Sequence, residues 1–235
     1  MSYSVNLFTL EDRLNGLREE MRTKAEALAR SNSFTAEGKI EKWDQTRAAY
    51  FDRLQDLRGD VNAVKRGIDN MLDYARAAAV GTPPDPAAPD VAAELATARI
   101  LNRRNKWEMN TITAELNKLL GTPTAALLIE ELIARGHADE ATIDALIESI
   151  VPAVSEARVF QQYAKTAMAN VFDRLIHDLD ELDQRGPLAP GAASPSGTED
   201  QYRVTLATVF GTGPAIVTAE GKYTYDMNKL ERYRG

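Results

Sequence analysis

A chain of 235 residues, 44% hydrophobic and 27% charged, is long enough to bury a sizeable core and too apolar to stay disordered. It has no cysteine, which excludes disulfide staples and thiolate chemistry, and no apolar run approaches the roughly 20 residues that cross a bilayer. The formal net charge of -7 sits wholly in residues 122–185, where twelve Asp and Glu face five Lys and Arg. That stretch disfavours unaided binding to a phosphate backbone and reads first as a solvated face.

Met1 to Leu10 lack a basic region followed by an apolar block, so no signal peptide is read, and a cysteine-free chain fits a reducing cytoplasm. Thr9 precedes an apolar-periodic run with Asp12 three residues on, an N-cap signature. Leu10, Leu14, Leu17, Met21 and Leu28 then keep heptad spacing, interrupted at Lys24. Ser31-Asn32-Ser33 break this helix, and Thr35 caps the next, with Glu37 in its first turn. From there Ile40, Trp43, Arg47, Tyr50, Leu54, Leu57, Val61, Val64, Ile68 and Met71 step by three, then four, without a break. Such a stripe is the seam of a coiled coil, so all of these but Arg47 are expected on one buried, helix-packing face. Residues 1–80 are therefore read as a helical hairpin whose long arm, about 65 Å if helical from Ala36 to Val80, outreaches its short partner. The overhang from Val61 needs another surface. Gly59 and Gly67 mark either bends or the close approach of another chain.

Residues 81–89 form a stiff proline-rich connector, and 90–185 read as a helical bundle. Asp90 caps a helix running to Leu120, Gly121 stops it, and Pro123 starts a short one ending near Arg135-Gly136. Asp139 caps a segment carrying Ile143, Ile147, Ile150 and Val154, which Pro152 kinks or restarts, and the pattern stays helical to Arg185. Residues 186–200 read as a flexible linker and 201–235 as a β-rich anchoring tail. Tyr202 to Phe210 alternate and are rich in β-branched residues, while Ile216–Ala219 and Lys222–Tyr225 read as a hairpin turning at Glu220-Gly221. So little sheet cannot fold alone. Tyr202, Val204, Leu206, Phe210, Ile216, Tyr223 and Tyr225 are expected to anchor it by strand addition on its own helices, a neighbouring copy or another protein.

Residues suited to chemistry are few. His137 follows a helix stop, and His177 stands among Asp173, Asp178, Asp180 and Glu181. Asp173 and His177 share a helix face, but no Glu-x-x-His pair occurs, and an exposed helix-end histidine is the simpler reading. Arg103-Arg104-Asn105-Lys106-Trp107 is a basic cluster beside an aromatic, read as solvated or salt-bridging. Gly211-Thr212-Gly213-Pro214 lacks the Lys and spacing of a phosphate loop. No catalytic residue, metal ligand or cofactor is assigned.

Residues 10–60, with Phe34-Thr35-Ala36-Glu37 succeeded by Trp43-Asp44, Tyr50 and Leu54, resemble the N-terminal scaffolding segment, or delta domain, of tailed-phage major capsid proteins. The resemblance implies an internal scaffold that holds shell subunits in register. The remainder of the chain reads as helical rather than as the mixed α/β shell fold, and is too short for it, so the chain is not read as a capsid protein itself. The expectation is a mostly α fold: a coiled-coil hairpin, a helical bundle and a short β-hairpin tail. Its expected role is that of a non-enzymatic phage virion component, whether scaffold, head–tail connector or capsid accessory. Partners would be copies of itself and other structural proteins, with no sequence-specific nucleic acid and no membrane. Its place would be the virion, or the cytoplasm if not phage-derived. The alternatives are a cellular coiled-coil adaptor and an all-helical metal-dependent hydrolase using the acids from Asp173 to Glu181.

Overall fold

The computed structural model describes residues 4–104, 106–186, 199–211, 215–218 and 220–222, which form a mostly α-helical protein with a small two-stranded antiparallel sheet. In chain order come β1 (Ser4–Asn6), α1 (Leu7–Arg30), α2 (Ala36–Asp69), α3 (Met71–Val80), α4 (Val91–Asn102), α5 (Met109–Leu119), α6 (Pro123–Ala134), α7 (Glu140–Ile150), α8 (Pro152–Met168), a π-helical turn (Ala169–Asp173), α9 (Arg174–Arg185), α10 (Glu199–Phe210) and β2 (Ile216–Thr218). The chain divides into two compact units, Met1–Asn70 with Gln161–Gly235, and Met71–Phe160. The divisions fall at 70/71 and inside α8, rather than at the proline connector.

In the first unit, α1 begins earlier than its sequence suggests. Asn6, not Thr9, is the cap: its Oδ1 accepts the N–H groups of Phe8 at 3.0 Å and Thr9 at 3.4 Å. Thr35 caps α2 as expected, with Oγ1 accepting the Gly38 N–H at 3.2 Å. Three contacts set an antiparallel register between the arms: Lys39 Nζ to Ala29 O at 2.7 Å, Arg53 to Glu20 at 2.7 Å, and Arg13 to Asp60 at 2.8 Å. The short arm is the centre of the unit. Leu7, Leu10, Leu14, Leu17 and Met21 are at most 1% exposed, because α2, α9 and α10 all pack on α1. The long arm is not one helix to Val80; it breaks at Asn70.

Its overhang is covered by the same chain. Val61, Val64 and Ile68 are buried, Gln161 Nε2 donates to the carbonyls of Ile68 and Asp69 at 2.8 Å, and Lys65 pairs with Asp173 at 2.5 Å. The tail departs furthest from the sequence reading. Tyr202, Val204, Leu206 and Phe210 lie on a helix, α10, not on a strand. The threonines that suggest a strand bond back to the preceding turn, Thr205 Oγ1 to Gln201 O at 2.9 Å and Thr208 Oγ1 to Val204 O at 2.7 Å. The chain does turn at Glu220-Gly221, where the Gly221 N–H donates to Thr218 O at 3.1 Å. The paired strand is the protein's own N-terminus, with Ser4 opposite Thr218, Val5 opposite Val217 and Asn6 opposite Ile216. Tyr223 and Tyr225 lie outside the described residues.

Gly67 is where β2 crosses α2. A Cβ there would stand 2.7 Å from Val217 Cγ1 and closer still to the Thr218 carbonyl. Gly67→Ala should therefore destabilise the unit by about 1–3 kcal/mol. Gly59→Ala, which meets nothing within 4 Å, should stabilise it by up to about 1 kcal/mol through helix propensity. Urea titration of both variants checks the opposite signs.

The second unit closes its own core around Leu101, Trp107, Ile112, Leu116, Leu128, Leu132, Ile143, Ile147 and Val154. The helix expected from Asp90 to Leu120 is two, α4 ending at Asn102 and α5 beginning at Met109, with Trp107 between them buried in that core. Asp90, Thr122 and Asp139 cap α4, α6 and α7, and Pro152 restarts the chain as α8. Hydrogen bonding to the Thr142 amide holds the Asp139 carboxyl below its ordinary pKa.

Candidate helix-packing surface

The heptad of α2 serves the protein's own core more than an outside partner. Trp43, Leu54, Leu57, Val61, Val64 and Ile68 are buried in the first unit, and Met71 is buried at the start of α3 in the second. Trp43 is fixed from two sides: its Nε1 donates to Asp183 O at 3.2 Å, and Gly186, at positive φ, lies against its ring, where a Cβ would clash. Tyr50 is half-buried, with the Arg53 guanidinium 5.8 Å from its ring centroid. Ile40 does not belong to the buried face. It is 42% exposed, because the stripe at this level packs on the end of α9 and that cover stops at Trp43. Leu54→Ala should cost about 2–5 kcal/mol, whereas Ile40→Ala should stay within about 0.5 kcal/mol. Thermal melts of the pair test the boundary.

In the tail, Tyr202, Leu206 and Phe210 are buried at four-residue spacing, Val204 is 65% exposed, and Ile216 is half-buried in β2. The described part of the tail thus packs on α1 and β1 of the same chain.

Sequence reasoning misses a second buried stripe on α1: Glu11, Asn15 and Arg18, each no more than 5% exposed. Glu11 bonds to the Asn15 amide and lies 3.4 Å from Arg203 Nε of α10. Arg18 reaches Asp178 of α9 at 3.4 Å, and its guanidinium stands 5.8 Å from the Tyr202 ring centroid. The cluster ties α1, α9 and α10 together. Its only sequence signal is the i, i+4, i+7 spacing of three polar residues beside the apolar stripe.

The acids of α9 are not a solvated face. Asp178 pairs with Arg18, Asp180 with Arg58, Glu181 with Arg185, and Asp173 in the adjoining π turn with Lys65. His177 remains at the surface, its side chain 70% exposed, with Glu181 3.9 Å away. Among the described residues no three His, Cys, Asp or Glu side chains come together as a metal would require. The basic cluster is engaged likewise: Arg104 pairs with Glu115 at 3.2 Å and Trp107 is core. Across the hairpin, the Arg53 hydrogen bond lowers the pKa of Glu20, and the same bond raises that of Arg53.

The described residues of the first unit line two concavities of note. One, of about 150 Å³, is lined by Lys65, Ile68, Asp69, Lys165, Met168 and Asp173, and is bridged by Lys65–Asp173 and Lys165–Asp69 ion pairs. The other is an open groove of about 730 Å³ along α2, lined by Arg13, Gln55, Asp56, Gly59, Asp60, Ala63 and Arg66. Among the described residues no helix is long and apolar enough to cross a membrane. No protein-family model, curated protein or solved structure matches this chain.

Proposed function

We propose that this chain is a non-enzymatic assembly protein, a phage virion component acting as scaffold, head–tail connector or capsid accessory. It works by packing helical surfaces against copies of itself and other structural proteins. One observation carries this reading. The hairpin leaves large apolar side chains in water from its turn to the middle of α2, with Phe34 45%, Ile40 42% and Phe51 58% exposed. On an arm otherwise laced by ion pairs, such residues favour a protein partner. Two further features support it. The sequence resembling capsid scaffolding segments lies on this hairpin, and the acids suited to hydrolytic chemistry are tied to arginine and lysine instead. Because α10 docks on its own α1, the anchoring role passes from a strand tail to outward helix faces.

The test is solution mass by light scattering, alone and mixed with the capsid, portal and tail proteins encoded beside this gene. A self-assembled or mixed complex that weakens in the Phe34→Ser/Phe51→Ser variant is the expected result. A monomer under every condition overturns the reading.

A further inference from the structure

We infer that the groove along α2 is a contact between two copies of this chain, formed by antiparallel packing of one α2 against another across a two-fold axis level with Val61. This deepens the proposed assembly role and rests on it. At 3.6 residues per turn, Asp52, Asp56, Gly59 and Arg66, all exposed, fall on the face of α2 opposite the buried Val61, where Ala63 lines the groove but is itself buried. That face is unlike the rest of the helix in two ways.

The first is its shape. Gly59 sits mid-helix, exposed, with nothing within 4 Å of where a Cβ would stand, so nothing among the described residues requires a glycine. Gly67, by contrast, is required by β2. Gly16, one turn beyond the groove-lining Arg13 in α1, is equally bare. A bare glycine in a helix interior is unfavourable in an isolated chain, and it lets a second helix backbone come close.

The second is its charge. Most neighbouring ionic groups of α2 are paired, Arg53 with Glu20, Arg58 with Asp180, Asp60 with Arg13 and Lys65 with Asp173, while the exposed Asp52 at the edge of the face makes no ion pair with any described residue. Asp56 and Arg66, both exposed and both lining the groove, make no ion pair with any described residue. They lie five positions either side of Val61 in opposite directions. An antiparallel second copy therefore sets Asp56 against Arg66 and Arg66 against Asp56, with the exposed Gly59 of each copy flanking the axis. A two-fold contact must be self-complementary in this way. Exposed ion pairs fix orientation more than affinity, so the close approach at Gly59 supplies the packing.

Sedimentation of the full chain from about 1 μM to about 1 mM tests it. A reversible dimer is expected. Gly59→Leu should weaken it at least about tenfold while circular dichroism stays native, since the side chain projects into open space. Asp56→Arg and Arg66→Asp should each weaken it by a similar factor. The double variant Asp56→Arg/Arg66→Asp should restore self-association, and the two single variants mixed should form a heterodimer. A dimer indifferent to all of these changes would overturn this surface while leaving the assembly role standing. A strict monomer that assembles only with other virion proteins would overturn it also, and a monomer under every condition would remove both.

Discussion

Asp178→Ala should destabilise the first unit by about 3–5 kcal/mol, the size of effect expected when one member of a buried ion pair is removed. The Arg18 side chain is 6% exposed and that of Asp178 8%, so the orphaned guanidinium would be held away from water. Its remaining neighbours are poor substitutes: Glu19 is 3.7 Å away and 46% exposed, and the Tyr202 ring centroid is 5.8 Å away. The Arg18 Nε makes no hydrogen bond among the described residues even in the native protein. Removing both charges behaves differently. Arg18→Met/Asp178→Leu should return to within about 1 kcal/mol of the native protein or exceed it, because desolvation is then no longer opposed to pairing. Each unit holds one of the two tryptophans, so Trp43 fluorescence in a Trp107→Phe background follows the first unit alone. A cost below about 1 kcal/mol for Asp178→Ala would mean that the pair is solvated and that α9 is held by its leucines.

The hairpin is legible in the sequence because its signals are local. The break at Ser31–Ser33, the Thr35 cap and the heptad from Trp43 to Ile68 each act within a few residues, and the structure keeps all three. What covers the long arm is not legible. The heptad shows that Val61, Val64 and Ile68 need cover but not whose, and the cover arrives from residues about a hundred positions on, with Gln161 reaching Ile68 at a separation of 93. The acidic block misleads for the same reason. Its pairs span 160 positions for Arg18–Asp178 and 122 for Arg58–Asp180, so a local charge count sees excess where the fold makes matches. The groove along α2 sits between these cases. Gly59 stands out in the sequence for its cost, yet only the empty space around it separates it from Gly67.

Leu206→Ala and Val204→Ala should differ by at least about 2 kcal/mol, and that difference decides how the tail is built. From Tyr202 to Phe210 the sequence satisfies two periods at once, since positions 202, 206 and 210 recur both every second and every fourth residue. Only 204 and 208 separate the readings, and valine and threonine there favour a strand by propensity. In a strand, 204 and 206 share a face and truncating either costs alike. On α10 they do not: Leu206 is fully buried against α1, while Val204 is 65% exposed. Leu206→Ala should thus cost about 2–5 kcal/mol as a core deletion. Val204→Ala should cost nothing measurable and gain a few tenths of a kcal/mol, since alanine is the better helix former. The helix wins because docking buries Tyr202, Leu206 and Phe210 together, which outweighs propensity differences of well under 1 kcal/mol per residue. Equal losses at both positions in urea titrations would restore the strand. They would also detach the tail from α1, leaving Arg203 no reason to lie beside Glu11.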